Sequence, residues 1–348
     1  MIDRSFWSGK RVFLTGHTGF KGGWAAVWLH DMGALVTGFA LPAATTPSFF
    51  SVADVEPLVA HHLGDVRDFN ALSAALWASK PDIVLHMAAQ PLVRRSYAQP
   101  LETYATNVMG TAHVLEAVRQ CPGIRATIIV TSDKCYDNDE SGRPLHEDDP
   151  MGGHDPYSSS KGAAELITAA YLRSYFPARN VASVRAGNVI GGGDWSEDRL
   201  VPDIVGALRA NRPVALRHPR AVRPWQHVME PLAGYFILAQ RLAKGTAAGG
   251  GWNFGPDPAE IKPVSELARA AISIWDGAGT LSIAAPSSEH EAGILLLDST
   301  KARTTLGWRP RWSFDDAIGR TMAWYRAHAE GAMMQDVTLA QIRAYERT

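Results

Sequence analysis

Residues 11 to 29, RVFLTGHTGFKGGWAAVWL, limit the fold more than any other stretch of the chain. Arg11 to Leu14 reads as a short apolar strand, glycines stand at 16, 19 and 22, and Trp24 to Leu29 continues as an apolar helix. A glycine triplet alone says little, but one that turns a strand directly into a helix is the opening of a dinucleotide-binding unit. Gly16 permits the tight turn, Gly19 lets backbone approach a pyrophosphate, and Gly22 lets helix pack closely on strand. The helix N-terminus, with Thr18 and Phe20 in the same loop, then turns its amide groups toward the phosphates.

Strand and helix signals alternate from there. Ala34 to Phe39 is a second strand, and its end (Gly38, Phe39, Ala40) carries neither an acid for a ribose hydroxyl nor an Arg for a phosphate, which leaves NAD and NADP both open. Asp65 and Val66 follow a third strand end; the Asp65 carboxylate either accepts from an adenine amino group or is an exposed loop acid. Asp82 to His86 is strand-like, and Ala88, Ala89 and Gln90 form a small-residue turn against which a dinucleotide can lie. Tyr104 to Val118 reads as a helix on which Asn107 is a polar residue among apolar ones, a structural support near the cofactor. The alternation implies an α/β fold with a doubly wound parallel sheet (Rossmann) and a smaller C-terminal α/β substrate domain. We expect residues 1–187 in the NAD-binding part, joined by returning segments near 224–256, and 188–348 mainly in the substrate part.

Ile128 to Val130 is a buried strand that delivers Thr131, Ser132, Asp133 and Lys134 at its C-terminal end, where ligands react in open α/β sheets. Tyr157 and Lys161 stand four apart at the start of a helical segment and share one face. A lysine there lowers a phenol from about 10 and makes it a usable base near neutrality; on spacing alone, an ordinary solvated helix face is the favoured explanation of the pair, and only the nucleotide loop in the same domain shifts the balance. Val181 to Arg185 is a further strand, followed by Asn188, a glycine run at 191 to 193 read as a mobile turn, and Pro213 to Arg217 read as an edge strand.

A net charge of −1 gives no reason to expect nucleic acid or an acidic membrane as partner. The apolar run WAAVWL is too short to span a bilayer, and the opening residues do not resemble a secretion signal. Cys121 and Cys135 are too few for a disulfide scaffold and lack metal-site spacing, so no metal is expected. A cytoplasmic protein follows as the expectation, with Cys135 a packing thiol.

Taken together, GHTGFKG, HMAAQ at 86 to 90, NVMGT at 107 to 111 and YSSSK at 157 to 161 resemble the extended short-chain dehydrogenase/reductase family. Within it, TSDKCYDN, PMGGHDPYSSSK, RAGNVIGGGDW and RPWQHV resemble its sugar-nucleotide 4,6-dehydratases, with Ser132, Asp133, Lys134 where the dTDP-glucose enzymes usually carry Thr, Asp, Glu. The resemblance implies bound NAD, CDP-glucose as substrate, and a homodimer or homotetramer. It implies that Tyr157 takes the 4-hydroxyl proton and Lys161 holds the nicotinamide ribose. It further implies that Ser132 bonds the reacting hydroxyl, Asp133 protonates the leaving 6-hydroxyl, and Lys134 manages the C5 proton as a base or a charge. Asn188, Arg199, Arg217 and Arg223 would contact the sugar diphosphate, and His290 stands where many relatives carry an Arg for it. A 4-epimerase would need Tyr157 and Lys161 but no acid to expel water. A nonenzymatic NAD sensor would need none of the three.

Overall fold

The computed structural model describes residues 1–348 except 179, 276, 278 and 284–293. Strands β1 (Arg11–Thr15), β2 (Leu35–Ala40), β3 (Ala60–Leu63), β4 (Ile83–His86), β5 (Ala126–Val130) and β6 (Val181–Arg185) form a sheet. A seventh strand, Gly250–Asn253, joins beyond β6, giving the order Gly250–Asn253, β6, β5, β4, β1, β2, β3. Every pair in it is parallel. The order reverses between β1 and β4, and in such sheets the crevice at the strands' carboxyl ends beside the reversal holds the ligand.

Both faces of the sheet are covered, which is why β4, β5 and β6 are buried without alternation. Successive side chains of β1 go to opposite faces: Val12 and Leu14 pack with Trp24 and Trp28, while Phe13 packs with Leu72 and Val114. Helices Phe20–Asp31, Met229–Ala243, Phe314–Ala329 and Met334–Arg347 bury their apolar residues in the first layer. Phe69–Ser79 and Gly110–Gln120 lie on the second. No helix among the described residues is long and apolar enough to cross a membrane.

Three elements depart from expectation. The first helix starts at Phe20 rather than Trp24, because Gly22 and Gly23 are absorbed into it. The helix expected over 104–118 runs from Pro100 to Gln120 and contains a π turn over Ala105–Met109, which buries Asn107. The glycine run 191–193 is no mobile turn: all three residues are buried, Trp24 Nε1 donates to Gly192 O at 2.9 Å, and Trp324 packs against Gly192. Val214–Leu216 pairs in parallel with Leu281–Ile283, so one of its edges is occupied.

Candidate active site

The carboxyl ends of β1, β2, β4, β5 and β6 open onto one cavity of about 760 Å³. Gly16, Thr18, Gly19, Phe20, Gly22, Asp65, Val66, Ala88, Ala89 and Gln90 line it, as do Ser132, Asp133, Lys134, Tyr157 and Lys161. The second half of the chain contributes Asn188, Arg199, Arg217 and Arg223. His290 lies outside the described residues. Asn107 does not line the cavity but stands behind it. Its Oδ1 accepts from Gln90 N at 2.8 Å, and its Nδ2 donates to Gln90 O at 3.0 Å and to Ser160 Oγ at 2.9 Å. It therefore ties the small-residue turn to the helix that carries Tyr157, a supporting role rather than a cofactor contact.

The glycine loop fits a dinucleotide. Gly16 has φ +79, and a Cβ there would meet the Ala88 backbone at 2.7 Å, so the turns after β1 and β4 can touch only through glycine. Helix Phe20–Asp31 begins at Gly19 with no side-chain cap, leaving its first amide groups to a ligand in the cavity. Gly22 makes its close approach to the carbonyl of Gly16. The Thr15 hydroxyl accepts from the amides of Met87 and Ala88 at 3.1 Å each, which fixes the floor. Asp65 is engaged by Arg67 at 2.5 Å, and that hydrogen bond holds its carboxyl below the usual range.

After β5, Ser132 caps the short turn Asp133–Cys135 by accepting from Lys134 N at 3.2 Å, and its hydroxyl donates to Asp133 Oδ1 at 2.9 Å. Asp133 is 4% exposed. A Cβ on Gly187 would lie 1.7 Å from Asp133 Oδ2, so this carboxyl group sits in space that only glycine leaves. Helix Pro156–Tyr175 starts with Pro156 in its first turn and with Asp155 accepting from Ser158 N at 2.9 Å. That start places Tyr157 and Lys161 on the cavity face.

The electrostatics of the pair differ from the sequence reading. Burial pushes the Tyr157 phenol up to about 12, against the opposing effect of a Ser132 hydrogen bond, and burial brings Lys161 down to about 8. Lys161 Nζ lies 6.0 Å from the Tyr157 ring centroid and donates to Val130 O at 3.4 Å. Both groups are desolvated together, so the lysine by itself does not carry the phenol to neutrality.

Behind this loop lies a buried ion pair. Glu165, one turn beyond Lys161, accepts from Arg185 Nε at 2.9 Å and Nη2 at 2.7 Å, from Ser183 Oγ at 2.6 Å and from Thr131 Oγ1 at 2.5 Å. Arg185 also donates to Tyr136 OH at 2.5 Å and Glu147 O at 3.1 Å. Both ends of the segment Thr131 to Tyr136 are thereby fixed. Cys135 within it is buried and free, with burial raising its thiol.

On the other wall, Asn188 adopts φ +48, and Arg199 pairs with Asp194 at 3.2 Å. Arg217 pairs with Asp198 at 3.0 Å and Asp203 at 3.7 Å, and the buried Arg223 donates to Val222 O at 3.0 Å. Sequence reasoning missed Gly187, Glu165, Arg185 and Lys21. Lys21 alone had a visible signal, as the one charge within the glycine loop.

A profile of the NAD dependent epimerase/dehydratase family matches residues 12–255. The chain is 49% identical to a CDP-glucose 4,6-dehydratase of Salmonella typhimurium, over 99% of this chain and 98% of the relative. It is similar in structure to a dTDP-glucose 4,6-dehydratase of Streptomyces venezuelae solved with NAD and TYD bound, with a TM-score of 0.78 and 27% identity over 92% of this chain and 98% of that one. A UDP-glucose 4-epimerase of Thermotoga maritima, at 20% identity and a TM-score of 0.80 over 91% and 99%, shares the fold. With a glycine loop, a Tyr and Lys on one helix face, and matches of this extent, the chain belongs to the NAD dependent epimerase/dehydratase family.

Proposed function

We propose that the chain is a sugar-nucleotide 4,6-dehydratase that converts CDP-glucose to CDP-4-keto-6-deoxyglucose and water. One observation carries the reading: the buried acid Asp133 lines the same cavity as Tyr157 and Lys161. A 4-epimerase needs the Tyr and Lys but has no use for a group that protonates a leaving hydroxyl. The 49% identity supports the same choice.

The residues divide the work by position. The loop from Gly16 to Gly22 binds the cofactor diphosphate through amide groups, and Ala88 to Gln90 give a flat surface beside it. Bound there, NAD+ would supply the hydride chemistry at C4 and C6. Tyr157 takes the proton of the 4-hydroxyl, with Ser132 holding that hydroxyl and Lys161 stabilising the phenolate. Asp133 gives a proton to the 6-hydroxyl as it leaves, and Lys134 acts on the C5 proton. Arg199, Arg217 and Arg223 bind the substrate diphosphate, for which Arg217 must exchange its Asp198 and Asp203 partners. The reading includes a cytoplasmic location and a homodimer or homotetramer, for which exposed Leu101, Tyr104, Met109 and Leu166 offer apolar surface.

Incubation with CDP-, dTDP-, GDP- and UDP-glucose is expected to give a 4-keto-6-deoxy sugar from CDP-glucose at a rate at least about tenfold above the others, a difference of about 1.4 kcal/mol. A 4-epimerised sugar without water loss would replace this reading by the epimerase. Lys134→Met is expected to oxidise C4 on mixing, so that the absorbance of reduced nicotinamide rises and persists. Water loss should stall, with little solvent deuterium entering C5. A variant that eliminates water and labels C5 like the parent would remove Lys134 from the chemistry.

A further inference from the structure

Arg94 and Asp198 line the cavity, yet the reaction as described gives Arg94 no part and Asp198 only the hold on Arg217 that must be exchanged. Arg94 belongs to helix Val93–Ala98, just beyond the turn of Ala88 to Gln90 that follows β4. Asp198 comes from the second half of the chain, immediately before Arg199, the residue that opens helix Leu200–Arg209. One oxygen of Asp198, Oδ1, accepts from Arg94 Nη1 at 3.1 Å and from Arg217 Nη1 at 3.0 Å. A single carboxylate thus joins two guanidinium groups that arrive from opposite halves of the chain. This bridge does little for the fold. Arg94, Asp198 and Arg217 are 37%, 41% and 26% exposed, and ion pairs between such side chains contribute little stability. The geometry is also poor for an arginine, since each gives Asp198 one N–H rather than the two-pronged contact that makes guanidinium pairing strong.

A weak contact shared by two arginines is one that a better anion exchanges. A diphosphate is that anion, with a charge on each phosphate and enough oxygens for a fork on each guanidinium. We propose that Asp198 is a stand-in for the substrate diphosphate, an inference that rests on the sugar-nucleotide reading of the cavity. Asp198 holds Arg94 beside Arg217 until substrate arrives. The diphosphate then takes both guanidinium groups, and the carboxylate turns to the solvent that it already meets. Arg94 thereby joins Arg199, Arg217 and Arg223 as a substrate-binding residue. The exchange sets specificity as well as affinity. A ligand without phosphate has nothing with which to displace Asp198 and gains neither arginine, whereas a diphosphate gains both at the expense of breaking the bridge.

Calorimetry of the NAD-saturated protein with CDP, which carries the diphosphate but no sugar to react, compares the parent with Asp198→Asn, Arg94→Gln and the double variant. Asp198 stands at φ +59, a conformation that asparagine tolerates as aspartate does, so the Asn variant keeps the backbone. Asp198→Asn is expected to bind CDP about tenfold more tightly, because a competing charge is gone. Arg94→Gln should bind it about tenfold more weakly, because a charged donor is lost. In the double variant the gain from Asp198→Asn should shrink to about threefold, since only Arg217 is left to release. The gain should also fade as salt rises from about 0.05 to about 0.5 M. Affinity for NAD, measured without CDP, should be alike in all four proteins. Unchanged or weaker CDP binding by Asp198→Asn, or a full tenfold gain in the double variant, would overturn the stand-in. Loss of NAD affinity instead of CDP affinity in Arg94→Gln would overturn the place of Arg94 on the substrate. Asp198→Gly, which meets the same φ without strain, decides the question should the Asn variant fail to fold. A parent that binds none of CDP, dTDP, GDP and UDP overturns the sugar-nucleotide reading as well, whereas a parent that binds CDP no differently from Asp198→Asn overturns only this inference.

Discussion

Tyr157→Phe is expected to slow C4 oxidation by about 10²- to 10⁴-fold, the loss that follows removal of a general base. The phenol is 8% exposed, and burial holds it at about 12, so at neutral pH the resting protein carries it protonated. Its proton is therefore moved only in an arrangement that also positions Ser132 and Lys161, and a phenyl ring can take no part in that transfer. The ring itself stays packed, so the variant should melt within a few degrees of the parent while reduced nicotinamide fails to form in a single turnover. Oxidation of C4 at the parental rate would dismiss Tyr157 as the base.

Arg185→Leu is expected to cost about 3–5 kcal/mol of folding stability, as removal of one partner from a buried ion pair typically does. Arg185 and Glu165 are 3% and 4% exposed, and two of the four hydrogen bonds on the Glu165 carboxylate come from this guanidinium. Burial pushes the Glu165 carboxyl up, but the charge and hydrogen bonds of Arg185, together with the hydrogen bonds of Ser183 and Thr131, outweigh burial and hold it below its ordinary value. A depressed carboxylate contributes stability above its unfolded pKa and loses it as pH falls through the folded value. In the variant only the Ser183 and Thr131 hydrogen bonds oppose burial, the folded value rises, and stability drops as pH climbs past the unfolded value. The gap between parent and variant, measured by urea unfolding, should therefore widen from acid toward neutral pH. Adding Glu165→Gln should recover part of the loss by removing the stranded charge. A gap below about 0.5 kcal/mol at neutral pH would mean that the pair does not hold the segment Thr131 to Tyr136.

The sequence by itself determined what depends on near neighbours in the chain. A strand, a glycine turn and a helix within about 20 residues specify their own geometry, so the opening unit and the parallel strands were legible from apolar runs and turn residues. The spacing of four between Tyr157 and Lys161 likewise fixed their common face. Tertiary structure decided everything that rests on desolvation or on close approach between distant segments. The phenol rises instead of falling because the helix buries Tyr157 and Lys161 together, and spacing carries no information about burial. Residues 191 to 193 are packed rather than mobile because Trp24 and Trp324, far away in sequence, close on them. Asp133 occupies the space left by Gly187 only because β5 and β6 end at one cavity. Charge acts through space with a strength set by the surrounding medium, and both the distance and the medium come into being when the sheet closes.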